Sequence, residues 1–544
     1  MSRQPRYADL HCHPHGKAFN FLRNTSQRNS PRYHPWTVIL SNWEHQRKGR
    51  RAFSYAQCDP VKLWNGGGAV LFASLYPFEK GFFRGGGKVD GLLLRRLLHW
   101  ADRLPLLGSA AQVQLRMLLQ RLVSSEEGIS SAKDYLQSLL MRMPLERVEF
   151  IQSAAYDYFK ELEEEYRFLL SRSGLTTKAE VYGTWLQRLR WRLFPHRNAR
   201  DSTQATGTYV VAKNAQDVHQ ALQRGHLAFV VTIEGMHALG TDTHLPELMR
   251  RIEAIKQWSP PVFFITFAHH FDNQLCGHAH SFPQEGTLFA NQRQNMQAPF
   301  SEIGWAALRY LLSLDNQNRK NEAALGRRIF IDIKHMGATA RRQYYDQIVR
   351  PALHQQPPDV IPVIASHVGY SGVKTLKEQE ENFRRSGEPD DYQVIPGLNA
   401  WNINVCDEDV ELIIKTGGLL GLCLDQRILG QKKKEQRSGI ELVWHNISRL
   451  VEGVKNHPNL SQAEKHRIWD CLCIGSDFEG YIDPADDFAT ALAFEQLEQE
   501  LVHRIRAVEV QGLAASLLLT DAAEVVVRKI CLENVLRFLQ RNFI

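Results

Sequence analysis

Two histidines two residues apart, His11 and His13, close a short apolar run that begins at Tyr7. Imidazoles at that spacing share one face of a strand and suit a transition metal. Much later, Glu234 follows six apolar residues and precedes Gly235. A carboxylate buried there needs a partner or a metal, and its two oxygens suit a bridge between two cations. His335 and His367 end two successive apolar runs, and Asp477 ends the last one. Any one of these side chains alone reads as structural or solvated. Together the six are enough for a two-metal site. Two ions about 3.5–4 Å apart hold a bridging hydroxide and polarise a carbonyl or phosphoryl oxygen. Asp477, in Gly475-Ser476-Asp477-Phe478-Glu479-Gly480, then touches one ion and serves as general base and acid. It takes a proton from the bridging water and returns it to the leaving group. Two zinc ions are the expected cofactor, with manganese or another divalent metal as the alternative.

Substrate-facing candidates occupy other run ends. His269 and His270 follow the fourth run, where one of them can donate a hydrogen bond to the oxyanion of a tetrahedral intermediate. Asp425 and Arg427 follow the seventh and complete the expected substrate-binding set. Asp332 lies inside a run and reads as a hydrogen-bonding partner or an outward-facing residue. His15, His237, His278 and His280 read as loop residues.

The positioning elements are eight apolar runs: 7–10, 69–75, 228–233, 262–268, 329–333, 361–366, 419–424 and 471–476. Near-continuous apolar runs of this length are strands of a parallel sheet buried on both faces. Eight of them with polar C-terminal ends predict an α/β fold, a (β/α)8 TIM barrel with its active site at that end. The whole chain, 1–544, reads as one such domain, with a helical insertion over 89–172 between strands 2 and 3. That insertion either caps the site or forms a contact in a homo-oligomer. Gly66-Gly67-Gly68 precedes the second strand and reads as a tight turn at the barrel's bottom. Asn214 reads as the N-cap of a helix over 217–224. A C-terminal helix over about 522–542 is expected on the barrel's outside. Segments 271–300 and 371–398 read as active-site loops.

The net charge of +7 over 544 residues forms no basic stripe with interleaved aromatics, which argues against a nucleic-acid partner. No run of about 18 apolar residues occurs, so no membrane partner is expected. Eight cysteines without a zinc-type CxxC pair read as reduced core thiols of a cytoplasmic protein. A small-molecule or dipeptide-like substrate is the expected partner.

The order of these motifs resembles the amidohydrolase superfamily, and more closely the renal (membrane) dipeptidase family of zinc peptidases. The resemblance covers nearly the whole chain apart from the insertion. It rests on Asp9-Leu10-His11-Cys12-His13, on Val231-Thr232-Ile233-Glu234-Gly235, and on Thr266-Phe267-Ala268-His269. It continues through Ile331-Asp332-Ile333-Lys334-His335, Ile364-Ala365-Ser366-His367, Asn404-Val405 with Asp407, and Gly475-Ser476-Asp477-Phe478-Glu479-Gly480. The resemblance implies metal-dependent hydrolysis of a peptide or amide bond. It implies a bridging role for Glu234 and substrate contact for His269. Two positions depart from the family. His13 stands where the family has aspartate. Ile403 or Asn402 stands where the family has the arginine that holds a dipeptide's carboxylate, and Arg427 is the first replacement candidate. Phosphoester hydrolysis within the same superfamily is the alternative activity. A metal-binding interaction protein without catalysis is the third class.

Overall fold

A computed structural model describes residues 5–40, 55–83, 143–183, 188, 203–241, 244–282, 292–388, 392–430 and 437–544. Eight strands form its central sheet: β1 (Tyr7–Cys12), β2 (Gly68–Leu75), β3 (Leu227–Glu234), β4 (Val262–Thr266), β5 (Phe330–Asp332), β6 (Ile364–Val368), β7 (Leu419–Leu422) and β8 (Leu472–Ile474). Each pairs in parallel with the next, in chain order. The ring closes just beyond the ends of β1 and β8. There Cys12 bridges Phe478, Asp477 N–H donates to the His11 carbonyl at 2.9 Å, and His13 N–H donates to the Phe478 carbonyl at 3.0 Å. The fold is the (β/α)8 barrel that the apolar runs predict. A short extra strand, Tyr209–Val211, pairs in parallel with the start of β3.

One strand is displaced from its predicted place. The sixth run begins at Ile361, but β6 begins at Ile364. Pro362 has no N–H to give a ladder, and Val363 N–H is taken by the Thr416 hydroxyl at 3.0 Å.

Every barrel strand contributes to one apolar cluster, through Leu10, Phe72, Val230, Phe264, Phe330, Ile364, Leu419 and Cys473. Val535, Phe538 and Leu539 of the C-terminal helix Asn534–Asn542 belong to the same cluster. The Phe538 and Phe543 rings meet Phe263 edge-on. This last part of the predicted 522–542 helix is therefore a floor for the barrel interior, while Ala523, Val526, Val527 and Ile530 before it lie in the larger cluster between barrel and helices, as expected of an outer cover. An amphipathic pattern records that one face is buried and does not say against what. Asn214 caps helix Ala215–Gln223 as predicted, accepting from Asp217 N–H. Segment 371–398 is not all loop: Leu376–Ser386 is a helix, capped by the Thr375 hydroxyl and ended at Gly387 with φ 63°.

Of the predicted insertion over 89–172, residues 89–142 lie outside the described residues. The remainder holds helices Leu145–Gln152 and Tyr158–Leu170. Leu162, Tyr166 and Leu169 of the second helix join the main core. All eight cysteines are buried free thiols. Among the described residues no helix is long and apolar enough to cross a membrane.

Candidate metal centre

The apolar floor leaves the upper barrel to polar side chains. Glu234, the last residue of β3, is surrounded there by imidazoles. Its Oε1 lies 3.3 Å from His11 Nε2, 3.4 Å from His269 Nε2, and 3.6 Å from both His335 Nε2 and His367 Nε2. Its Oε2 lies 3.1 Å from His13 Nε2. Asp477 completes the group, 3.8 Å from His11 Nε2 through Oδ1 and 3.8 Å from His367 Nε2 through Oδ2. All six predicted metal-ligand candidates thus converge. They form two sets that share Glu234: His11, His13, Glu234 and Asp477, and Glu234, His335 and His367.

The hydrogen bonds fix which nitrogen faces inward. His13 Nδ1–H donates to the Ser74 carbonyl at 3.0 Å, because a carbonyl can only accept. The Ser366 hydroxyl gives its one proton to Asp332 Oδ2 at 2.6 Å. His367 Nδ1 must then donate to Ser366 Oγ at 2.8 Å. Both imidazoles turn a bare Nε2 toward Glu234. His11 Nε2, His13 Nε2 and His367 Nε2 are buried, with no hydrogen-bond partner among the described residues. Buried lone pairs aimed at one carboxylate are what a cation would satisfy. The donor set of imidazoles and carboxylates suits zinc or a similar divalent ion.

For three of the four imidazoles the charges agree with this fit, whereas at His13 burial is outweighed by Glu234 and the ring is raised. Burial drives His335 and His367 well below the ordinary histidine range and lowers His11, which leaves them neutral ligands. Burial opposes the charge of Glu234, but His11 and His269 outweigh it and hold the carboxylate ionised. Asp477 is raised well above its usual value by burial and by Glu234 opposite.

Two buried aspartates support the ligand-bearing ends. Asp9 accepts from Ser476 N–H at 2.8 Å and from the Ser476 hydroxyl at 2.5 Å, tying β1 to β8 beside Asp477. Asp332 accepts from Ser366 N–H at 2.9 Å, from the Ser366 hydroxyl, and from the Thr266 hydroxyl at 2.7 Å, tying β5 to β6 and β4 beside His367. Of its two sequence readings, Asp332 takes the hydrogen-bonding one. His335 and Asp477 both sit in the left-handed region, at φ 65° and 61°. That conformation costs a non-glycine residue about 1 kcal/mol or more, and here it belongs to two ligand candidates. Gly235, at φ 89°, is required twice over: a Cβ there would meet His237 Nδ1 at 2.2 Å. The ladder between β1 and β2 slips between Asp9 and Cys12, so His11 and His13 converge through an irregular strand end, not strict alternation.

The remaining candidates have these places. His270 is half-buried, with Nδ1 at 2.7 Å from the Ser281 hydroxyl and its ring against His269 and His335. Arg427 is held by Asp425, Nε to Oδ1 at 3.0 Å and Nη2 to Oδ2 at 2.5 Å, and also donates to the Tyr481 carbonyl at 3.3 Å. A cavity runs from His13 past Tyr55, Tyr76, Phe78 and Tyr481, with Lys17 and Glu479 in its lining.

Four groups escaped the sequence reading. His15, read as a loop residue, is fully buried, with Nε2 2.9 Å from Glu165 Oε1. His237 and His278, read the same way, are also buried, and each bonds a backbone carbonyl through Nε2 at 2.9 Å. Glu79, four residues beyond β2, lies 2.5 Å from His269 Nδ1. Burial opposes ionisation of Glu79, but His237 and His269 outweigh it. His269 in turn is raised to about 10, burial being overcome by Glu79 and Glu234. No periodic signal marks these residues. Only the abundance of histidine near run ends pointed this way.

Asn402 and Ile403 are both buried. Asn402 N–H donates to Glu388 Oε1 at 2.6 Å, while the Asn402 side-chain amide has no partner among the described residues. Burial raises Glu388 from its ordinary 4.5 to about 8, against the pull of that N–H and of Arg341. The folded protein thus holds a proton that the unfolded chain releases near 4.5. Stability from this group is fully present below about pH 4.5 and is lost as pH rises through about 8. Glu388→Gln keeps the acceptor and removes the charge. It should flatten that decline and stabilise the protein by about 1–3 kcal/mol above pH 8. Urea denaturation from about pH 5 to about pH 9 checks it; an unchanged pH slope would show that Glu388 is ionised without penalty.

No protein-family model matches the chain, and no curated protein matches it. Among solved structures, the chain is similar to dipeptidase AC, a metallopeptidase of family M19, at 14% identity, 99% of each chain covered and a TM-score of 0.47. It is similar to a metallopeptidase from Rhodobacter sphaeroides liganded with a phosphinate mimic of the dipeptide L-Ala-D-Ala, at 15% identity, 99% of this chain and 100% of that one, and a TM-score of 0.46. It is likewise similar to the probable dipeptidase PvdM from Pseudomonas aeruginosa, at 13% identity, 93% of this chain and 96% of that one, and a TM-score of 0.44.

Proposed function

We propose that the protein is a metal-dependent hydrolase of a peptide or amide bond, dipeptidase-like in its chemistry. The observation that carries this reading is the convergence of His11, His13, His335, His367 and Asp477 on Glu234, with three buried imidazole nitrogens that have no hydrogen-bond partner among the described residues. The order of motifs shared with the renal dipeptidase family supports it. His11, His13, Glu234, His335, His367 and Asp477 would hold a pair of divalent ions, which when bound would supply Lewis acidity at a carbonyl oxygen and lower the pKa of an attacking water.

The chain's own residues supply the rest. Glu234, ionised among imidazoles, offsets the positive charge of such a centre, with Oε1 toward His11, His335 and His367 and Oε2 toward His13. Asp477 faces both sets, and its raised affinity for protons suits a group that takes one from the attacking water. It returns that proton to the leaving nitrogen as the C–N bond breaks. His269 Nε2 lies on the same rim, where a hydrogen bond to the developing oxyanion is worth most. The cavity beside His13, with Tyr55, Tyr76, Phe78 and Tyr481, is the proposed seat for an apolar substrate group. Asp425 neutralises Arg427, so a carboxylate-bearing substrate must compete with Asp425 for that guanidinium. The reading therefore includes weak turnover of simple dipeptides.

Turnover of a panel of dipeptides, N-acyl amino acids and phosphodiesters, before and after zinc or manganese reconstitution, tests the reading. Metal-dependent amide cleavage is the expected result. Cleavage confined to phosphodiesters, or none on any class, would overturn it.

A further inference from the structure

Glu79 is 3% exposed and lies outside the two ligand sets that share Glu234, in a further cluster with His237 and His269. A buried carboxylate is costly unless its oxygens are engaged, and these are engaged by loops that follow three neighbouring strands. Oε2 accepts from His269 Nδ1–H at 2.5 Å and from the Tyr76 hydroxyl at 3.3 Å. Oε1 faces His237 Nδ1 at 3.7 Å. The other nitrogen of His237 donates to the Pro77 carbonyl at 2.9 Å, so that ring is fixed as well. With Nδ1 of His269 committed to Glu79, Nε2 is the nitrogen left to face the metal centre, 3.4 Å from Glu234 Oε1.

We propose that Glu79 is a positioning residue for the hydrolytic reaction: it fixes the His269 ring so that Nε2 points at the substrate's carbonyl oxygen, while the Tyr76 hydroxyl holds Glu79 in place. This rests on the hydrolytic reading above. Asp9 and Asp332 stitch strand to strand. Among the described residues the Glu79 side chain bonds no strand ladder, and the ionisable groups it faces within ion-pair distance are two imidazoles, one of them at the centre's rim. Tight carboxylate–imidazole pairing of this kind sets ring orientation and favours the imidazolium, whose Nε2–H a carbonyl oxygen can accept.

The test uses the full-length, zinc-reconstituted protein and Glu79→Ala, Glu79→Gln, His269→Ala and the Glu79→Ala/His269→Ala pair. Misorientation of a group at the reacting centre costs about 10²-fold. Glu79→Ala should therefore lower kcat by about that factor with little change in KM, and Glu79→Gln, which keeps an acceptor, should recover part of the loss. The double variant should be no slower than His269→Ala. The readout independent of turnover is the proton spectrum of the metal-free protein. A downfield imidazole N–H resonance should be present in the wild type, absent in both Glu79→Ala and His269→Ala, and displaced in Glu79→Gln, the variant that best preserves packing. Persistence of that resonance in Glu79→Ala, or equal fractional losses of kcat from Glu79→Ala with and without His269, would overturn the positioning role alone. A wild-type protein that shows the resonance but cleaves no amide with metal bound would overturn the hydrolytic reading together with it.

Discussion

Glu234→Gln is expected to strip the centre of metal. The wild-type carboxylate faces five imidazole nitrogens at 3.1–3.6 Å and is the only group common to both ligand sets. The amide is nearly isosteric but neutral, and it presents one oxygen where the carboxylate presents two. Each ion would lose charge compensation, and one would lose its ligand outright. Loss of even a group that only orients a ligand weakens metal binding 10–100-fold or so, so removal of the bridge should cost at least about 10²-fold in affinity. Bound zinc should fall from two equivalents to one or fewer, and turnover with it. The fold should persist, because the barrel floor and the Asp9 and Asp332 ties do not involve Glu234. Zinc titration followed by elemental analysis and circular dichroism checks both halves. Two tightly held equivalents in Glu234→Gln would remove the bridge from the account.

Asp477→Asn is expected to separate binding from chemistry. Asparagine keeps an oxygen facing His11 and His367 but cannot take up a proton at neutral pH. The predicted loss in kcat is about 10²–10⁴-fold, the usual range for removing a general base, with KM and metal content close to wild type. The left-handed backbone at Asp477 adds to the value of this substitution, because asparagine tolerates φ near 61° as readily as aspartate. Turnover within a few-fold of wild type would assign the proton transfer to another group, with His269 next in line.

The barrel was legible in the sequence because parallel strands buried on both faces leave unbroken apolar runs. The ligand candidates were legible because a barrel's chemistry gathers where those runs end. That logic placed His11, His13, Glu234, His335, His367 and Asp477 without reference to contacts. It faltered where local periodicity carries no long-range information. The sixth run was read three residues early because Ile361 and Val363 are apolar although Pro362 cannot join a ladder. The last turns of the C-terminal helix form a floor, a seat that an apolar stripe suits as well as it suits the barrel's outside. Glu79 was missed because it lies four residues past a strand end, in Tyr76-Pro77-Phe78-Glu79. Its role arises only from the approach of His237 and His269, which lie well over a hundred residues away in the chain. The arginine expected before Asn404 gave way to a buried Asn402 and Glu388, a pairing that spans 14 residues and carries no motif.

The central claim is that six residues from five strand ends hold two divalent ions. The most direct measurement is elemental analysis of the purified protein after zinc reconstitution and exhaustive dialysis, with Glu234→Gln in parallel. The account predicts close to two zinc equivalents in the wild type and one or none in the variant. Less than one equivalent in the wild type, or the same content in both proteins, would contradict it.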